Sequence, residues 1–354
     1  MPATHDDVAL KQLYADFAAT GLMPLWATRD DLMPTVPRPG ARPHVWRWVE
    51  VRALAARAGD LVPVGRGGER RAIAYANPGI EGEPYATPTL WAAVQYLGPQ
   101  EVAPAHRHSQ SAFRFVLEGQ GVWTVVDGDP VAMRRGDLLL TAGWRWHEHH
   151  NIADSPMLWL DGLDIPLVAA LDAGFFEFGP DEITDRSTPQ LSRNERLWRH
   201  PGLRPIGAPV TRTSPLMAYR WEHTDAALDA QLELDAAGSA GAVEPGHAAV
   251  RFTNPATGGD ALVTMRMEMH RLEVGAASKV SRSVGSSVWQ VFDGDGTFEL
   301  GRDVLDVEPG DVVAVPSWCD VRVRARSRLD VFVFSDAPVY EMLNLASPEG
   351  IRAR

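Results

Sequence analysis

Pro104-Ala-His106-Arg-His108 opens, and Gly143-Trp-Arg-Trp-His147-Glu-His149-His150-Asn151 closes, the stretch that decides how this chain folds. Between them run Phe113-Arg-Phe-Val-Leu117, Glu118-Gly-Gln-Gly121, Val122-Trp-Thr-Val-Val126, Asp127-Gly-Asp129 and Arg135-Gly-Asp-Leu-Leu-Leu-Thr141. Short β-forming runs split by glycine turns predict an antiparallel sandwich or small barrel. Two residues apart on a strand, His106 and His108 point to one face. With His147 returning on a later strand, they make a half-shell suited to a divalent transition metal.

The 354 residues suffice for two ordinary domains, and a hydrophobic fraction of 45% can fill a core in each. A formal charge of -12 with no basic cluster argues against nucleic acid or an anionic membrane as partner. The start, Met1-Pro-Ala-Thr-His-Asp-Asp7, has no basic-then-apolar leader, and no uncharged apolar run reaches the roughly 18 residues of a span. A soluble, cytoplasmic protein is expected. The single Cys319 can form no disulfide within the chain and no thiolate cluster, so any metal must be held by His, Asp or Glu.

Outward from this stretch, Leu10, Leu13, Tyr14 and Phe17 predict an amphipathic helix over 9–19, ending at Gly21. Pro34, Pro37, Pro39 and Pro43 predict an extended arm. A short helix over 49–58 should stop at Gly59, and strands are expected over 69–74 and 89–96, the latter with Trp91, Ala93 and Gln95 on one face. A strand over 157–164 follows the central stretch. Residues 170–260 are mixed, with weak helical patterns such as 225–234. Beyond Thr264 a second set of strands repeats the turn punctuation of the first: Glu118-Gly-Gln-Gly121 corresponds to Asp293-Gly-Asp-Gly296, Arg135-Gly-Asp137 to Pro309-Gly-Asp311, and Trp144 to Trp318. In that register His106 and His108 fall opposite Ser281 and Ser283, and His147 opposite Val321. The second copy keeps the scaffold and lacks every candidate ligand.

These residues resemble a cupin in the first half. Over nearly the whole length the chain resembles the two-cupin gentisate 1,2-dioxygenases and their salicylate and 1-hydroxy-2-naphthoate relatives. The resemblance rests on Glu69-Arg-Arg71, Leu90-Trp-Ala-Ala-Val-Gln95, Ala103-Pro-Ala-His-Arg-His-Ser-Gln-Ser-Ala-Phe-Arg-Phe115, Trp144-Arg-Trp-His-Glu-His149 and Trp159-Leu-Asp-Gly-Leu-Asp-Ile-Pro-Leu167. The carboxylate that general cupins carry shortly after the paired histidines is absent, with Ser111, Ala112 and Phe113 in its place. Ala142 and Trp144 replace the usual Pro and Gly of the second motif. The expected fold is therefore all-β dominated, with two cupin barrels. It comprises an N-terminal helical and proline-rich arm (1–60), a metal-binding cupin (61–170), a mixed connecting region (171–260) and a degenerate metal-free cupin with a C-terminal tail (261–354).

The resemblance implies Fe(II) on His106, His108 and His147, opening of gentisate between C1 and C2 with O2 to give maleylpyruvate, and a homotetramer. Three neutral imidazoles would leave such an ion its full charge and open positions for a hydroxy-acid and O2. The anionic substrate needs a cation. Arg114, eight residues past His106 and on its face if the strand is regular, is the first candidate and Arg70 the second, since a one-residue shift would exchange it with Arg71. His149 suits a general acid/base, and Asp161 could orient it or share in proton transfer. Gln95 and Trp91 would line the ring pocket, with Ala93 setting the room beside the ring. His150 should face outward. Salicylate or 1-hydroxy-2-naphthoate is the alternative substrate. A non-catalytic, metal-dependent ligand-binding cupin is a second reading and a cupin isomerase a third, the latter disfavoured by the missing carboxylate.

Overall fold

A computed structural model describes residues 5–62, 71–179 and 187–346. The chain divides into two compact units, Met1–Pro39 and Gly40–Arg354. In the first, helix His5–Ala19 is followed by helix Leu25–Leu32, and Trp26 Nε1 donates to the Tyr14 hydroxyl at 3.2 Å. The second of these helices has no counterpart among the expectations, because eight residues present too short a window for a 3.6-residue period to register. No regular element occupies the proline-bearing residues 33–43. Among the described residues no helix is long and apolar enough to cross a membrane.

The larger unit holds both barrels. In the first, a six-stranded sheet runs in the order Ala218–Tyr219, Leu138–Thr141, Ala112–Glu118, Met157–Leu163, Trp91–Leu97, Ala72–Ala74. It faces a five-stranded sheet, Phe176–Phe178, Val102–His108, His147–Asn151, Gln120–Val126, Asp129–Arg134. The second barrel repeats the plan. Its larger sheet orders His44–Trp46, Val312–Val315, Ser287–Asp293, Leu329–Ser335, Arg266–Leu272, His247–Arg251; its smaller one orders Ser281–Arg282, Asp320–Ala325, Gly296–Leu300, Asp303–Val307. The sheet-dominated, two-barrel expectation holds. The internal repeat is visible in the pairing, since His106 lies opposite His147 as Ser281 lies opposite Val321.

Strand alternation sends successive side chains to opposite faces, and both faces of the larger sheets are used. Val116, Leu139, Met157 and Trp159 point into the first barrel with Val122, Val131 and Met133 from its smaller sheet. Their neighbours Phe113, Phe115, Leu138, Leu158 and Leu160 point out of it, where they meet Met267, Met269, Val288, Phe332 and Phe334 from the outer face of the second barrel. The Phe115 and Phe332 rings stack at 4.2 Å with 6° between planes, and Phe113 meets Phe334 edge-on at 4.8 Å. Gly162 pairs with Phe113, and a Cβ there would lie 2.1 Å from its ring, so only glycine lets that phenylalanine lie flat on the sheet.

Two crossed connections tie the halves together. Trp46-Arg47-Trp48 precedes the first barrel yet docks on the second: His44–Trp46 pairs with 312–314, Arg47 Nη1 donates to Asp311 Oδ2 at 2.7 Å, and the Trp48 amide donates to Asp311 Oδ1 at 2.9 Å. Tyr219-Arg220-Trp221 precedes the second barrel and docks on the first, with Arg220 Nη1 on Asp137 Oδ2 at 2.5 Å and the Trp221 amide on Asp137 Oδ1 at 2.9 Å. The last residue of each triplet opens a helix, Trp48–Leu61 and Trp221–Ala236. Each tryptophan lies over the glycine of a Gly-Asp turn, Gly310 (φ 91°) and Gly136 (φ 83°), and a Cβ on either would be within 2.2 or 2.7 Å of the indole. The strand at 44–46 and the helix at 221–236 thus bind regions that composition assigned to the arm and the connecting region into the barrels.

Because the two barrels share one core, Phe115→Ala is expected to destabilise both together. Denaturant unfolding should lose about 3–5 kcal/mol in a single transition reported alike by tryptophan fluorescence and circular dichroism. Separate transitions for the halves would show the barrels to be independent.

Candidate active site

The three ligand-type nitrogens of His106, His108 and His147 lie within 4.8 Å of one another inside the first barrel, all on buried side chains. Alternation puts His106 and His108 on one face of Val102–His108, and antiparallel pairing puts His147 directly across from His106. Each ring is fixed from behind by a carbonyl. His106 Nδ1 lies 2.9 Å from Pro104 O, His108 Nδ1 2.9 Å from Gln110 O, and His147 Nδ1 3.0 Å from Arg145 O. A carbonyl only accepts, so each Nδ1 carries the proton and each Nε2 presents its lone pair to the cavity. His147 Nε2 is buried with no protein partner. Burial, and then the nearby Arg114 charge, hold the His147 pKa well below its usual value, so the ring is neutral near pH 7. Three imidazoles aimed inward, with no carboxylate among them, fit a divalent transition metal.

Arg114 reaches the cavity from the opposite wall. It does not share the histidine strand: the chain bends at Ser109 and Gln110 and crosses to the other sheet, so the eight-residue spacing is not a same-strand relation. Its guanidinium is buried, Nη1 donating to Thr141 Oγ1 at 2.6 Å while Nε lies 3.5 Å from Asp161 Oδ1. The Trp159 indole donates to the same Asp161 oxygen at 3.1 Å. The register explains the grouping, because Asp161 pairs with Arg114 on one side and Ala93 on the other, forming a row across three strands. The next row sets Gln95 beside Trp159, and the one before it sets Trp91 beside Leu163. Ala93 and Gln95 are buried and Trp91 is half-buried, all on the cavity face.

His149 shares the inward face of His147 and is buried. Its Nδ1 lies 2.9 Å from Thr124 Oγ1, and its ring is 5.3 Å from that of Trp159. Burial, reinforced by the Arg114 charge, pushes its pKa well below the usual imidazole range. Arg70 falls outside the described residues. Its neighbour Arg71 is buried, donates to Val62 O at 3.1 Å, pairs with Glu101 and lies over the Tyr96 ring. His150 does turn away from the cavity, but it is buried against Glu148 at 2.8 Å and does not reach solvent. Asp164 accepts from the Ser111 amide at 2.9 Å and the Thr264 hydroxyl at 2.6 Å, which ties the barrels together.

Four residues at this site escape a reading of the sequence. Thr124 and Thr141 are single hydroxyls in apolar strands, legible only as polar exceptions on the inward parity. Trp159 is named there only within the stretch that carries the resemblance and is seen here holding Asp161. Phe176 stacks on His106 at 5.5 Å, carried by Phe176–Phe178, which pairs with the histidine strand from within the segment read as a connection. Trp144, at φ 69°, stacks on Phe175 at 5.1 Å, and its amide donates to His108 O at 2.6 Å. A left-handed tryptophan is strained.

A two-barrel fold with a three-histidine centre that could hold a metal, beside a buried arginine, defines a cupin of the ring-cleaving dioxygenase class. The cupin domain family matches residues 93–163. A gentisate 1,2-dioxygenase of Streptomyces sp. is 65% identical over 337 residues, 95% of this chain and 94% of that protein. A 1-hydroxy-2-naphthoate 1,2-dioxygenase of Nocardioides sp. is 35% identical, across 92% of this chain and 84% of that one. The crystal structure of salicylate 1,2-dioxygenase from Pseudoaminobacter salicylatoxidans, described as adducts with gentisate, superposes with a TM-score of 0.93 at 54% identity, covering 96% of this chain and 93% of that one. The chain belongs to the gentisate 1,2-dioxygenase family.

Replacing His106 by Ala is expected to abolish stoichiometric metal binding while leaving a folded chain. Metal analysis together with far-ultraviolet circular dichroism reads both; full metal retention would refute the centre. Thr141→Val, isosteric but unable to accept from Arg114, is expected to cost about 1–3 kcal/mol of stability in denaturant melts.

Proposed function

We propose that this enzyme uses Fe(II), held by His106, His108 and His147, to open gentisate between C1 and C2 with O2, both oxygen atoms ending in maleylpyruvate. The observation that carries this reading is the pairing of the three-histidine centre with the buried Arg114 on the facing wall. When bound, ferrous iron supplies the redox chemistry by which dioxygen attacks an electron-rich ring. The chain's own residues bind and orient the substrate. Arg114, with Nη1 donating to Thr141 and Nε 3.5 Å from Asp161, offers its remaining N–H groups to the substrate carboxylate. Arg70 is the second candidate for that charge. Trp91, Gln95 and Ala93 form the wall against which the ring lies, Ala93 being a methyl where a larger side chain would take up the space.

His149 is the group placed to accept and return the phenol proton. Burial and Arg114 keep it neutral, so it can accept. Thr124 holds its Nδ1 and leaves Nε2 for the substrate side. Asp161, through Trp159 and Arg114, keeps the arginine and the pocket wall in register. A salicylate-type substrate is the second reading, supported by the structural likeness to a salicylate 1,2-dioxygenase. A cytoplasmic homotetramer belongs to the same proposal: Leu10, Leu13 and Tyr14 on helix His5–Ala19 are exposed and offer an apolar surface for subunit contacts.

The test is anaerobic reconstitution with Fe(II) followed by gentisate and oxygen. Oxygen uptake matched to growth of the maleylpyruvate absorbance is expected, and neither would occur if the reading is wrong. Salicylate and 1-hydroxy-2-naphthoate in parallel rank the substrates. Arg114→Ala is expected to raise KM about 10- to 100-fold, the loss of one charge-assisted contact, with a smaller change in kcat. An unchanged KM would remove Arg114 from the carboxylate.

A further inference from the structure

The second barrel has lost the metal ligands but not the hollow they would have faced. Its mouth encloses a cavity of about 370 Å3. Strand register identifies that hollow as the counterpart of the catalytic one. Where Arg114, Asp161 and Ala93 form a row in the first barrel, Trp289, Val333 and Glu268 form it in the second. Arg266, two residues before Glu268 on its strand, falls at the place of Trp91, and Arg251 sits opposite Glu268. Trp318 at this mouth is left-handed, φ 63°, as Trp144 is at the other.

A barrel kept only as scaffold would fill such positions with apolar side chains. The deeper layer does so, with Leu272, Val291, Phe298, Val323 and Val331. The mouth instead carries ions that are half-buried and compensated. Arg251 Nε lies 3.0 Å from Glu268, Arg266 bridges Asp260 at 2.9 Å and Glu341 at 2.7 Å, and Arg282 pairs with Asp320 at 2.6 Å. Beneath them His247 Nε2 meets His270 Nδ1 at 3.0 Å, and the far nitrogen of His270 lies 3.8 Å from Glu268.

We infer that this cavity is a second binding site, for a neutral, hydroxyl-rich small molecule of monosaccharide size. The volume lies in the range of small-ligand pockets. Each lining arginine is already neutralised, so a carboxylate ligand would have to break an existing ion pair. Hydroxyl groups need not: carboxylate oxygens keep spare lone pairs, Ser281 and Ser335 carry hydroxyls that can donate and accept, and Ser283, whose hydroxyl donates to Gly285 O at 3.0 Å, still accepts. The indoles of Trp289 and Trp318 supply the apolar wall on which the C–H face of a sugar ring can lie.

Saturation-transfer NMR on the intact protein, with D-glucose, D-galactose, D-mannose and D-xylose as separate probes, tests the inference. Saturable binding of at least one sugar is expected. It should weaken by about tenfold or more in Trp289→Ala and vanish in Ser283→Trp, which plugs the mouth, with ring-opening activity unchanged in the latter. No saturable binding of any probe to the wild-type protein would overturn the site. Equal binding in both variants would overturn its location. Displacement of the sugar by salicylate in an Arg114→Ala background would overturn the ligand class.

Discussion

Two sheets packed back to back govern the rest of this structure. Phe113 and Phe115 from one barrel and Phe332 and Phe334 from the other form a single aromatic layer. Neither larger sheet could leave its outer face in water, because those residues would expose a continuous apolar surface. The halves therefore fold as one core with two hollows. The crossed docking of Trp46-Arg47-Trp48 and Tyr219-Arg220-Trp221 strengthens this, since each half supplies the strand and the arginine that close the other. A buried arginine–aspartate pair adds little net stability on its own, but leaving Asp137 without Arg220 would strand a charge in the interior. The pair accordingly selects the correct pairing of halves.

A rigid back wall lets the front of the first barrel carry expensive chemistry. Arg114, Asp161, His147 and His149 are all buried, an arrangement tolerated because each has a fixed partner or, for the inward imidazole nitrogens, a place for a metal. Burial and the arginine act on the histidines in the same direction, both favouring the neutral ring. That is the form in which imidazole binds a metal and in which His149 can accept a proton. The Arg114 charge thus acts through space on the inward-facing His147 and His149.

The second barrel shows which constraints belong to the fold and which to the chemistry. The turn residues Gly294, Gly296, Gly310 and Asp311 persist because the backbone and the docked Arg47-Trp48 need them. At the positions of the three histidines no metal imposes a demand, so Ser281, Ser283 and Val321 can stand there.

By itself the sequence determined the alternating strands, the glycine turns, the repeat, and the three histidines, because side-chain direction on a strand and the requirement for left-handed turns are local properties readable from spacing. The trio of histidines was legible for that reason. Arg114 was found by its charge but from a wrong geometric premise, since spacing along the chain cannot reveal that a strand has crossed to the facing sheet. Thr124, Thr141 and Phe176 were invisible as partners of His149, Arg114 and His106, because which side chains meet across neighbouring strands depends on a register that no local pattern encodes. The paired Trp-Arg-Trp and Tyr-Arg-Trp triplets stood in plain view, but their meaning, that each half of the chain closes the other, is a non-local fact about topology. Only the tertiary structure, by setting which strands lie side by side, could decide it.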